Sequence, residues 1–347
     1  MHQNDQIITA CIFLVLLIVQ VISATGPHIS CYWGYYVLQC TEGNYSIPNN
    51  FLVHKMPLET RQLELGRPSL EGALHYSIIE DSADPLPSNL TRLMRLDLHS
   101  FAGANGARLP VEKFLANVKG TLWELRIQYC RIVSLGADFL RGFKKLEILY
   151  LVQNDISVIE ATAFETGFTP LIGWIHLTGN QIAHLDWTVF APVAKSLKNL
   201  YLDDQFGDIS GRMFAHNVSV GMQTVTLSQR FTFSHLKFLD LSRNALNFLS
   251  RDILDTLNTG YYAQFLFDDN AFCPIDPTHS CSCCEARTFV QWMYEVSTRP
   301  VLQISFSCGG DVPSKWEAGN IYGVVTSLPP LNQYESCTNA TMENIVQ

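Results

Sequence analysis

The most constraining feature of the sequence is an eleven-residue leucine pattern that returns at a nearly constant interval. The pattern has apolar residues at positions one, four, six and eleven and asparagine at position nine, and LKFLDLSRNAL, from Leu236 to Leu246, fits it fully. Two other full copies are Leu146, Leu149, Leu151, Asn154, Ile156 and Ile172, Ile175, Leu177, Asn180, Ile182. Starts at 122, 146, 172 and 197 are 24, 26 and 25 residues apart, a period typical of solenoid repeats.

Weaker copies extend the series in both directions. The copy from Leu122 has Cys130 at position nine, and the copy from Leu197 has Gln205 there. Degraded copies contain Leu63, Leu65, Leu70; Leu93, Leu96, Leu98; and Phe265, Phe267, Asn270, Phe272. The second halves of several repeats add an apolar pair: Leu135 with Phe139, Ile159 with Phe164, Leu185 with Phe190, and Leu249 with Ile253.

The pattern is what a short strand followed by a turn requires. Apolar residues at positions four and six alternate with outward residues, which is the period of two of a strand. The side-chain amide at position nine carries donors and an acceptor, so it can satisfy turn backbone groups that would otherwise be buried without partners. A single coil cannot bury its own apolar face, so we expect the coils to stack on one another.

These repeats resemble the extracellular leucine-rich-repeat family over about residues 60 to 275. The resemblance implies an α/β solenoid with a curved parallel β-sheet on its concave face and short helices and irregular turns on its convex face. About eight repeats would occupy residues 60–272. The family also accepts cysteine at the asparagine position, so we interpret Cys130 as a buried free thiol; a reactive or disulfide-forming Cys130 is the alternative.

The two ends of the chain indicate a secreted protein. An apolar run from Ile7 to Ile22 is followed by small residues, which predicts a signal peptide over residues 1–24, with a retained membrane anchor as the alternative. Residues 25–59 are assigned to an N-terminal cap and 273–347 to a cysteine-rich C-terminal cap and tail. The C-terminal sequence CTNATMENIVQ has no hydrophobic tail for a lipid anchor, so we expect an extracellular, released chain.

Eight of the ten cysteines lie outside both the leader and the repeats. Secreted members of the family cover the ends of the solenoid with disulfide-stapled caps, and the resemblance implies the same role here. Cys31 and Cys40 most simply pair with each other. The other six allow fifteen pairings, which stay open: Cys273, Cys281, Cys283, Cys284, Cys308 and Cys337. A zinc site in the CSCC segment with His279 is disfavoured, because adjacent Cys283 and Cys284 are awkward co-ligands.

Four sequons predict glycosylation at Asn44, Asn89, Asn217 and Asn339. Asn217 falls where the repeat register fails, because 39 residues separate Leu197 from Leu236. A strand is possible at Met222, Val225 and Leu227. We expect one long repeat with a protruding loop across about 207 to 235.

Catalytic and nucleic-acid-binding signatures are missing from the sequence. It contains no GxSxG elbow, HExxH pair or phosphate-cradling glycine loop, so we expect no enzyme, cofactor or metal. The formal net charge of −9 and the absence of a basic run argue against nucleic acid as a partner.

The strand residues beside the leucines predict a binding surface on the concave face, where repeat proteins usually bind. This column contains Trp123, Arg126, Tyr129, Tyr150, Trp174, His176, Tyr201, Asp203, Phe238 and Asp240. Trp and Tyr are enriched in binding hot spots, and affinity is expected around Tyr150, Trp174 and Tyr201. The alternative is that these rings only pack on each other across adjacent strands.

The sequence therefore predicts a secreted binding protein whose partner is a macromolecule, most simply a protein. One alternative is a non-catalytic accessory subunit of an extracellular enzyme, because the layout is similar to secreted arthropod members of the family such as luciferase non-catalytic subunit-like proteins. The other is a soluble relative of immune receptor ectodomains. The sequence does not predict the oligomeric state.

Overall fold

The computed structural model describes residues 22–23, 30–42, 46–47, 57–66, 77–79, 85–103, 111–168, 170–205, 221–246, 249–257, 263–268, 270, 291–292, 295–296 and 303–305. The chain divides into two compact units. Unit 1 comprises residues 1–132, 142–151 and 166–169, and unit 2 comprises 133–141, 152–165 and 170–347. Each is described by itself.

Secondary structure consists mainly of short strands. In unit 1 these are β1 (Ile22–Ser23), β2 (Ser30–Gly34), β3 (Val37–Glu42), β4 (Ser46–Ile47), β5 (Gln62–Leu65), β6 (Ser77–Ile79), β7 (Arg95–His99), β8 (Phe101–Gly103), β9 (Glu124–Gln128) and β11 (Ile148–Tyr150). In unit 2 they are β10 (Ser134–Leu135), β12 (Val158–Ile159), β13 (Trp174–His176), β14 (His184–Asp186), β15 (Asn199–Tyr201), β16 (Thr224–Thr226), β17 (Phe238–Asp240), β18 (Gln264–Leu266) and β19 (Gln303–Ser305).

The main sheet of unit 1 is built from the predicted leucine strands. Strands β3, β5, β7, β9 and β11 pair in parallel in that order, and β1 and β2 extend the sheet antiparallel beyond β3. The register aligns Leu63, Leu96, Leu125 and Leu149, and all four side chains are fully buried. Strands β4, β6 and β8 form a second, three-stranded parallel sheet.

Unit 2 repeats the same construction. Strands β13, β15, β17, β18 and β19 pair in parallel, and the register aligns Ile175, Leu200, Leu239 and Phe265, which are all fully buried. The pairs β10 with β12 and β14 with β16 form two small parallel sheets on the return segments. Each unit therefore stacks coils whose parallel strands turn their leucines inward, which is the predicted leucine-rich-repeat fold.

The interval between Leu197 and Leu236 is a single long coil. Strand β15 pairs directly with β17, so no strand of the main sheet lies between them. The strand suggested at Met222, Val225 and Leu227 exists as β16, but it pairs with β14 on the return side. Residues 206–220, which include Asn217, lie outside the described residues.

Buried amides at position nine connect the coils of unit 2. Asn244 donates to the carbonyls of Leu241 and Leu202, and its Oδ1 accepts from the backbone N–H of Gln205. Gln205 makes equivalent bonds one coil earlier, with its side chain donating to Leu177 and accepting from Ile182. Asn180 and Asn270 continue the series. Each amide thus satisfies turn groups of its own coil and of a neighbouring coil, as predicted.

Unit 1 fills the same position differently. Cys130 is fully buried and unpaired with any other cysteine, and its Sγ accepts from the backbone N–H of Phe101 at 3.3 Å and lies 3.0 Å from the carbonyl oxygen of Gln128. Burial raises the pKa of the Cys130 thiol to about 12, which keeps it protonated. The prediction of a buried free thiol is confirmed.

Return segments are short and irregular, with few helices. The described helices are α1 (Val111–Phe114) in unit 1, and α2 (Arg251–Leu254) and a 3₁₀ helix (Trp187–Val193) in unit 2. Trp187 is fully buried between Phe190 and Phe233, and its indole N–H donates to the hydroxyl of Thr256 at 2.9 Å. Aromatic packing of this kind closes the side of the coil opposite the sheet.

The cap predictions are only partly covered by the structure. Cys31 and Cys40 are register partners on the antiparallel strands β2 and β3. The six C-terminal cysteines, Asn44 and Asn339 lie outside the described residues. Trp292, in the segment assigned to the C-terminal cap, is buried with its ring 6.4 Å from that of Phe265. Within the described ranges, no helix is long and apolar enough to cross a bilayer.

Candidate binding face

The side chains that alternate with the buried leucines form one exposed face of the main sheet in each unit. Burial alternates along the strands, as in Gln62–Leu65, Ile148–Tyr150 and Phe238–Asp240. This alternation confirms that the predicted column points away from the core. The column is divided between the units, with Trp123, Arg126, Tyr129 and Tyr150 in unit 1 and Trp174, His176, Tyr201, Asp203, Phe238 and Asp240 in unit 2.

The sheet of unit 1 carries a compact ionic cluster that we call the charged face: Glu64, Arg95, Asp97, Glu124, Arg126 and Tyr150. The guanidinium of Arg126 donates to Glu124 at 2.5 Å and lies 4.2 Å from the centre of the Tyr150 ring. Arg95 lies 3.6 Å from both Asp97 and Glu124. Two guanidiniums therefore lie among the three carboxylates of this face.

Acids of the charged face are largely removed from solvent, although arginines lie beside them. The side chain of Glu124 is only 5% exposed. Burial raises the pKa of Asp97, while Arg126 and Arg95 act in the opposite direction. The cluster is a desolvated network whose members depend on one another.

The two remaining predicted residues of unit 1 lie beside a strand. Trp123 precedes β9 and is half-buried. Tyr129 follows β9 with a positive φ of 54°, and its ring lies 4.9 Å from that of His99. The sequence pattern gave no indication of this left-handed turn, because tyrosine rarely adopts it.

The sheet of unit 2 carries a continuous row of rings that we call the aromatic face: Trp174, His176, Tyr201 and Phe238, with Asp203 and Asp240 beside them. The ring of His176 stacks on that of Tyr201 with centres 3.9 Å apart, and Tyr201 packs on Phe238 at 4.6 Å. Trp174 lies parallel to His176 at 6.3 Å. The rings therefore pack across strands, which is the alternative weighed for them, yet Trp174 remains 38% exposed.

In the described residues, the carboxylates of the aromatic face are held by hydrogen bonds and not by ion pairs. The register places Asp240 directly opposite Tyr201, and Asp203 follows Tyr201 by two residues. Asp203 accepts a hydrogen bond from Thr178 at 2.7 Å, and Asp240 accepts from Ser242. In the part of the chain that the structure describes, neither carboxylate forms a salt bridge.

Burial and repulsion make these two acids weaker than usual. Burial raises the pKa of Asp203 to about 6, with further repulsion from Asp240 and Asp204 and an opposing hydrogen bond from Thr178. Burial also raises the pKa of Asp240, against the hydrogen bonds from Ser242, and Asp268 adds repulsion. At neutral pH the aromatic face holds carboxylates whose charge is poorly compensated.

Several residues of these faces were not predicted. In unit 1 they are Glu64, Arg95, Asp97 and Glu124, and in unit 2 they are Thr178, Asn199, Lys198 and Lys237. All occupy outward positions of the same strands or the positions flanking them, so the repeat register could have identified them. The aromatic residues of the pattern did not indicate the charged residues beside them.

No metal site is indicated in the described ranges, where no three His, Cys, Asp or Glu side chains are arranged to hold an ion. The CSCC segment and His279 lie outside them.

Comparison with known proteins finds structural similarity only. No family model matches the sequence, and no curated protein matches it. Among solved structures, human 5T4 (Wnt-activated inhibitory factor 1, trophoblast glycoprotein) has 16% identity and a TM-score of 0.44, with 84% of this chain and 95% of that chain covered. A chain of the octameric complex of Latrophilin 3, Unc5D and FLRT2 has 18% identity and a TM-score of 0.34, with 89% and 99% covered.

Proposed function

We propose that this chain is a secreted leucine-rich-repeat protein that binds a protein partner through the exposed face of its sheet, mainly through the aromatic face of unit 2. The observation that carries the proposal is the row of four neighbouring rings that ends at Trp174, in which His176 stacks on Tyr201 and Tyr201 packs at an angle on Phe238. A rigid row of rings loses little conformational entropy on binding, and Trp and Tyr are the residue types that dominate binding hot spots.

The rings of the two faces are not equally available. Trp174 is 38% exposed, whereas the Tyr150 ring lies beneath the guanidinium of Arg126. We therefore assign the larger contribution to Trp174 and Tyr201, and Tyr150 a smaller one.

A binding role fits the described chemistry better than catalysis. Described hydroxyls lie beside a base at three places. The hydroxyls of Ser100 and Thr224 lie 2.9 and 2.8 Å from ring nitrogens of His99 and His184, and the hydroxyl of Ser228 donates to Asp186 at 2.6 Å. Burial raises the pKa of Asp186, but hydrogen bonds from Ser228 and Thr188 outweigh it and lower the pKa below its usual value. A carboxylate with a lowered pKa is a poor general base at neutral pH. We infer that the protein is not an enzyme.

Capture experiments test the binding proposal. Purified wild-type chain is compared with the Trp174→Ala, Tyr150→Ala double variant for the extracellular proteins that each retains, identified by mass spectrometry. Loss of a hot-spot ring costs about 2 kcal/mol or more, so we expect retention of the specific partner to weaken roughly thirtyfold. Val158→Ala, which removes an exposed apolar side chain from β12, serves as the matched control.

Retention of the same proteins with equal strength by the double variant would show that this face is not the binding site. The control should behave as the wild type does.

Secretion is tested separately by the covalent structure of the expressed protein. We expect the mature chain to begin near residue 25, a disulfide to join Cys31 to Cys40, and a glycan to be attached to Asn89, which is exposed in a turn. The backbone register supports the disulfide, because opposed residues of antiparallel strands have Cα separations within the range of disulfides. Peptide mapping without reduction that finds Cys31 and Cys40 as free thiols would contradict this proposal.

A further inference from the structure

The charged face of unit 1 shows how this chain itself accommodates a ring beside a buried carboxylate. The guanidinium of Arg126 interacts with both groups, because it lies 4.2 Å from the centre of the Tyr150 ring and donates to Glu124 at 2.5 Å. Arginine suits this position, since its planar group binds carboxylates through directed hydrogen bonds and also packs on aromatic rings.

The aromatic face has the same components without the guanidinium. Tyr201 occupies a strand position that matches Tyr150, and Asp240 lies directly opposite it. The charge of Arg243 opposes the rise in the pKa of Asp240, but Arg243 is itself paired with Asp204 at 3.5 Å. The exposed residues Lys198 and Lys237 precede β15 and β17, so they lie where the strands begin, whereas Asp203, Asp204 and Asp268 follow the strand ends.

The aromatic face is thus polarised, with lysines at one edge, rings in the middle and carboxylates at the other edge. A partner that matched only the rings would leave Asp203 and Asp240 desolvated beneath it without a counterion, which is costly. Charge complementarity therefore selects among possible occupants.

We propose that the aromatic face docks a protein segment that places an arginine against Asp203 and Asp240 and an apolar or aromatic side chain against Trp174. This inference rests on the proposed function and specifies the chemistry of its partner. A guanidinium offers five N–H donors in a planar fork and can bond two carboxylates at once, whereas a lysine ammonium offers three donors at one point.

The proposed contact makes binding sensitive to pH. Asp203 has a pKa of about 6, so protonation between pH 7.5 and pH 5.5 removes most of its charge and we expect about fourfold weaker binding. Asp240 and Asp204 act on Asp203 through their charges, and Asp268 and Arg243 act on Asp240. On the next strand, His176 lies two residues before Thr178, which donates to Asp203. His176 is the one whose protonation would act in the same direction by repelling the arginine, so a His176→Gln variant separates the two causes.

A random twelve-residue peptide library, selected on the full chain and counter-selected on Trp174→Ala, provides a defined probe. The best peptides are synthesised with arginine, with lysine and with neutral citrulline at each basic position. Their dissociation constants are measured on the wild type, on the Asp203→Asn single variant and on the Asp203→Asn, Asp240→Asn double variant. The Asp252→Asn variant is the control, since Asp252 is an exposed acid paired with Arg230 outside the sheet. Thermal melting checks that each variant is folded.

We expect the selected peptides to be enriched in arginine. Replacing it with citrulline should weaken binding about tenfold to hundredfold, as the loss of a charged hydrogen bond does, and lysine should give an intermediate value. The Asp203→Asn, Asp240→Asn double variant should bind the arginine peptides more weakly by the same factor. On this variant, replacing arginine with citrulline should weaken binding no further, which is the signature of a direct pair. The Asp252→Asn control should bind as wild type, Asp203→Asn alone should reduce the pH dependence, and the double variant should reduce it further.

The outcomes separate this inference from the proposed function. Peptides that require Trp174 but tolerate citrulline and both asparagine substitutions would overturn the arginine inference and leave the binding face in place. Failure to obtain any peptide that distinguishes wild type from Trp174→Ala would overturn both.

Discussion

Units 1 and 2 build the same coil from different side chains, and they differ both at the turns and on the exposed side of the sheet. Unit 2 connects its coils through the buried amides of Asn180, Gln205, Asn244 and Asn270, whereas two coils of unit 1 have Phe101 and Cys130 at that position. The exposed side of the sheet differs in its charges. The acids of unit 1 lie beside Arg95 and Arg126, whereas Asp203 and Asp240 form no salt bridge within the described part of unit 2. Unit 2 thus has hydrogen-bonded turns and a face whose carboxylates are not paired with a cation in the described residues.

The comparison teaches where a rigid scaffold can place a binding site. Residues that satisfy turn groups stabilise the coil and leave the strand face available. Acids that are desolvated without a counterion weaken the isolated protein and become favourable only when a partner supplies the opposite charge. The charged face of unit 1 shows the complementary case, in which the chain supplies its own arginines.

The largest expected difference between the units concerns position nine. Asn244→Ala removes bonds to Leu202 and Leu241 and leaves the buried N–H of Gln205 without its acceptor, so we expect a loss of about 4 kcal/mol in the free energy of unfolding. Cys130→Ala removes weaker sulfur contacts and should cost about 1 to 2 kcal/mol. Urea unfolding followed by circular dichroism measures both. Equal losses would refute the distinction between amide and thiol.

A smaller loss in the free energy of unfolding is expected when an ion pair of the charged face is removed. Arg126→Ala leaves Glu124, whose side chain is 5% exposed, with only the longer contact to Arg95, and should destabilise the protein by about 2 kcal/mol. The control is Arg141→Ala, because its pair with Asp138 is exposed and should contribute less than about 1 kcal/mol. Adding Glu124→Gln to Arg126→Ala should recover part of the loss. A double variant less stable than Arg126→Ala would show that the Glu124 charge is not the cause.

Replacing an acid of the aromatic face should raise the free energy of unfolding, whereas removing Arg126 from the charged face should lower it. Burial raises the pKa of Asp203 to about 6, so ionising it in the folded state costs stability that the unfolded chain does not lose. The cost is absent below the ordinary carboxyl pKa near 4, appears as pH rises through about 6 and is complete above it. Asp203→Asn should therefore stabilise the protein by about 1 kcal/mol at pH 7.5 and have little effect at pH 3.5.

Thermal melting at the two pH values measures this effect, with Asp252→Asn as the exposed control. A destabilising Asp203→Asn substitution at pH 7.5 would mean that Asp203 already has a stabilising partner, and the contrast between the faces would be lost.

The sequence predicted the coil and much less of its surface. Leucine spacing was sufficient to locate the strands and the amides of Asn180 and Asn244, because both recur at the same positions of successive repeats. It also indicated the long coil after Leu197. It did not show that β16 pairs on the return side, since a short apolar alternation fits either sheet.

The candidate site was predicted as a set of aromatic residues, and which of their rings are covered could not be foreseen. Tyr150 and Trp174 occupy the fifth and third positions of their repeats, which both alternate with buried positions, but Arg126 packs on the Tyr150 ring and Trp174 is exposed. That difference arises between neighbouring strands, where side-chain direction and charge pairing are set by register and not by composition. The cysteines of the C-terminal cap remain a prediction.

The central claim is that the face of unit 2 is the one that contacts a partner, and oxidative footprinting of the complex tests it most directly. Trp174 in unit 2 and Met94 in unit 1 are 38% and 49% exposed, so both react with hydroxyl radicals in the free chain. With the captured partner bound, we expect oxidation of Trp174 to slow several-fold while that of Met94 changes little. Protection of Met94 with Trp174 still fully reactive would contradict the account.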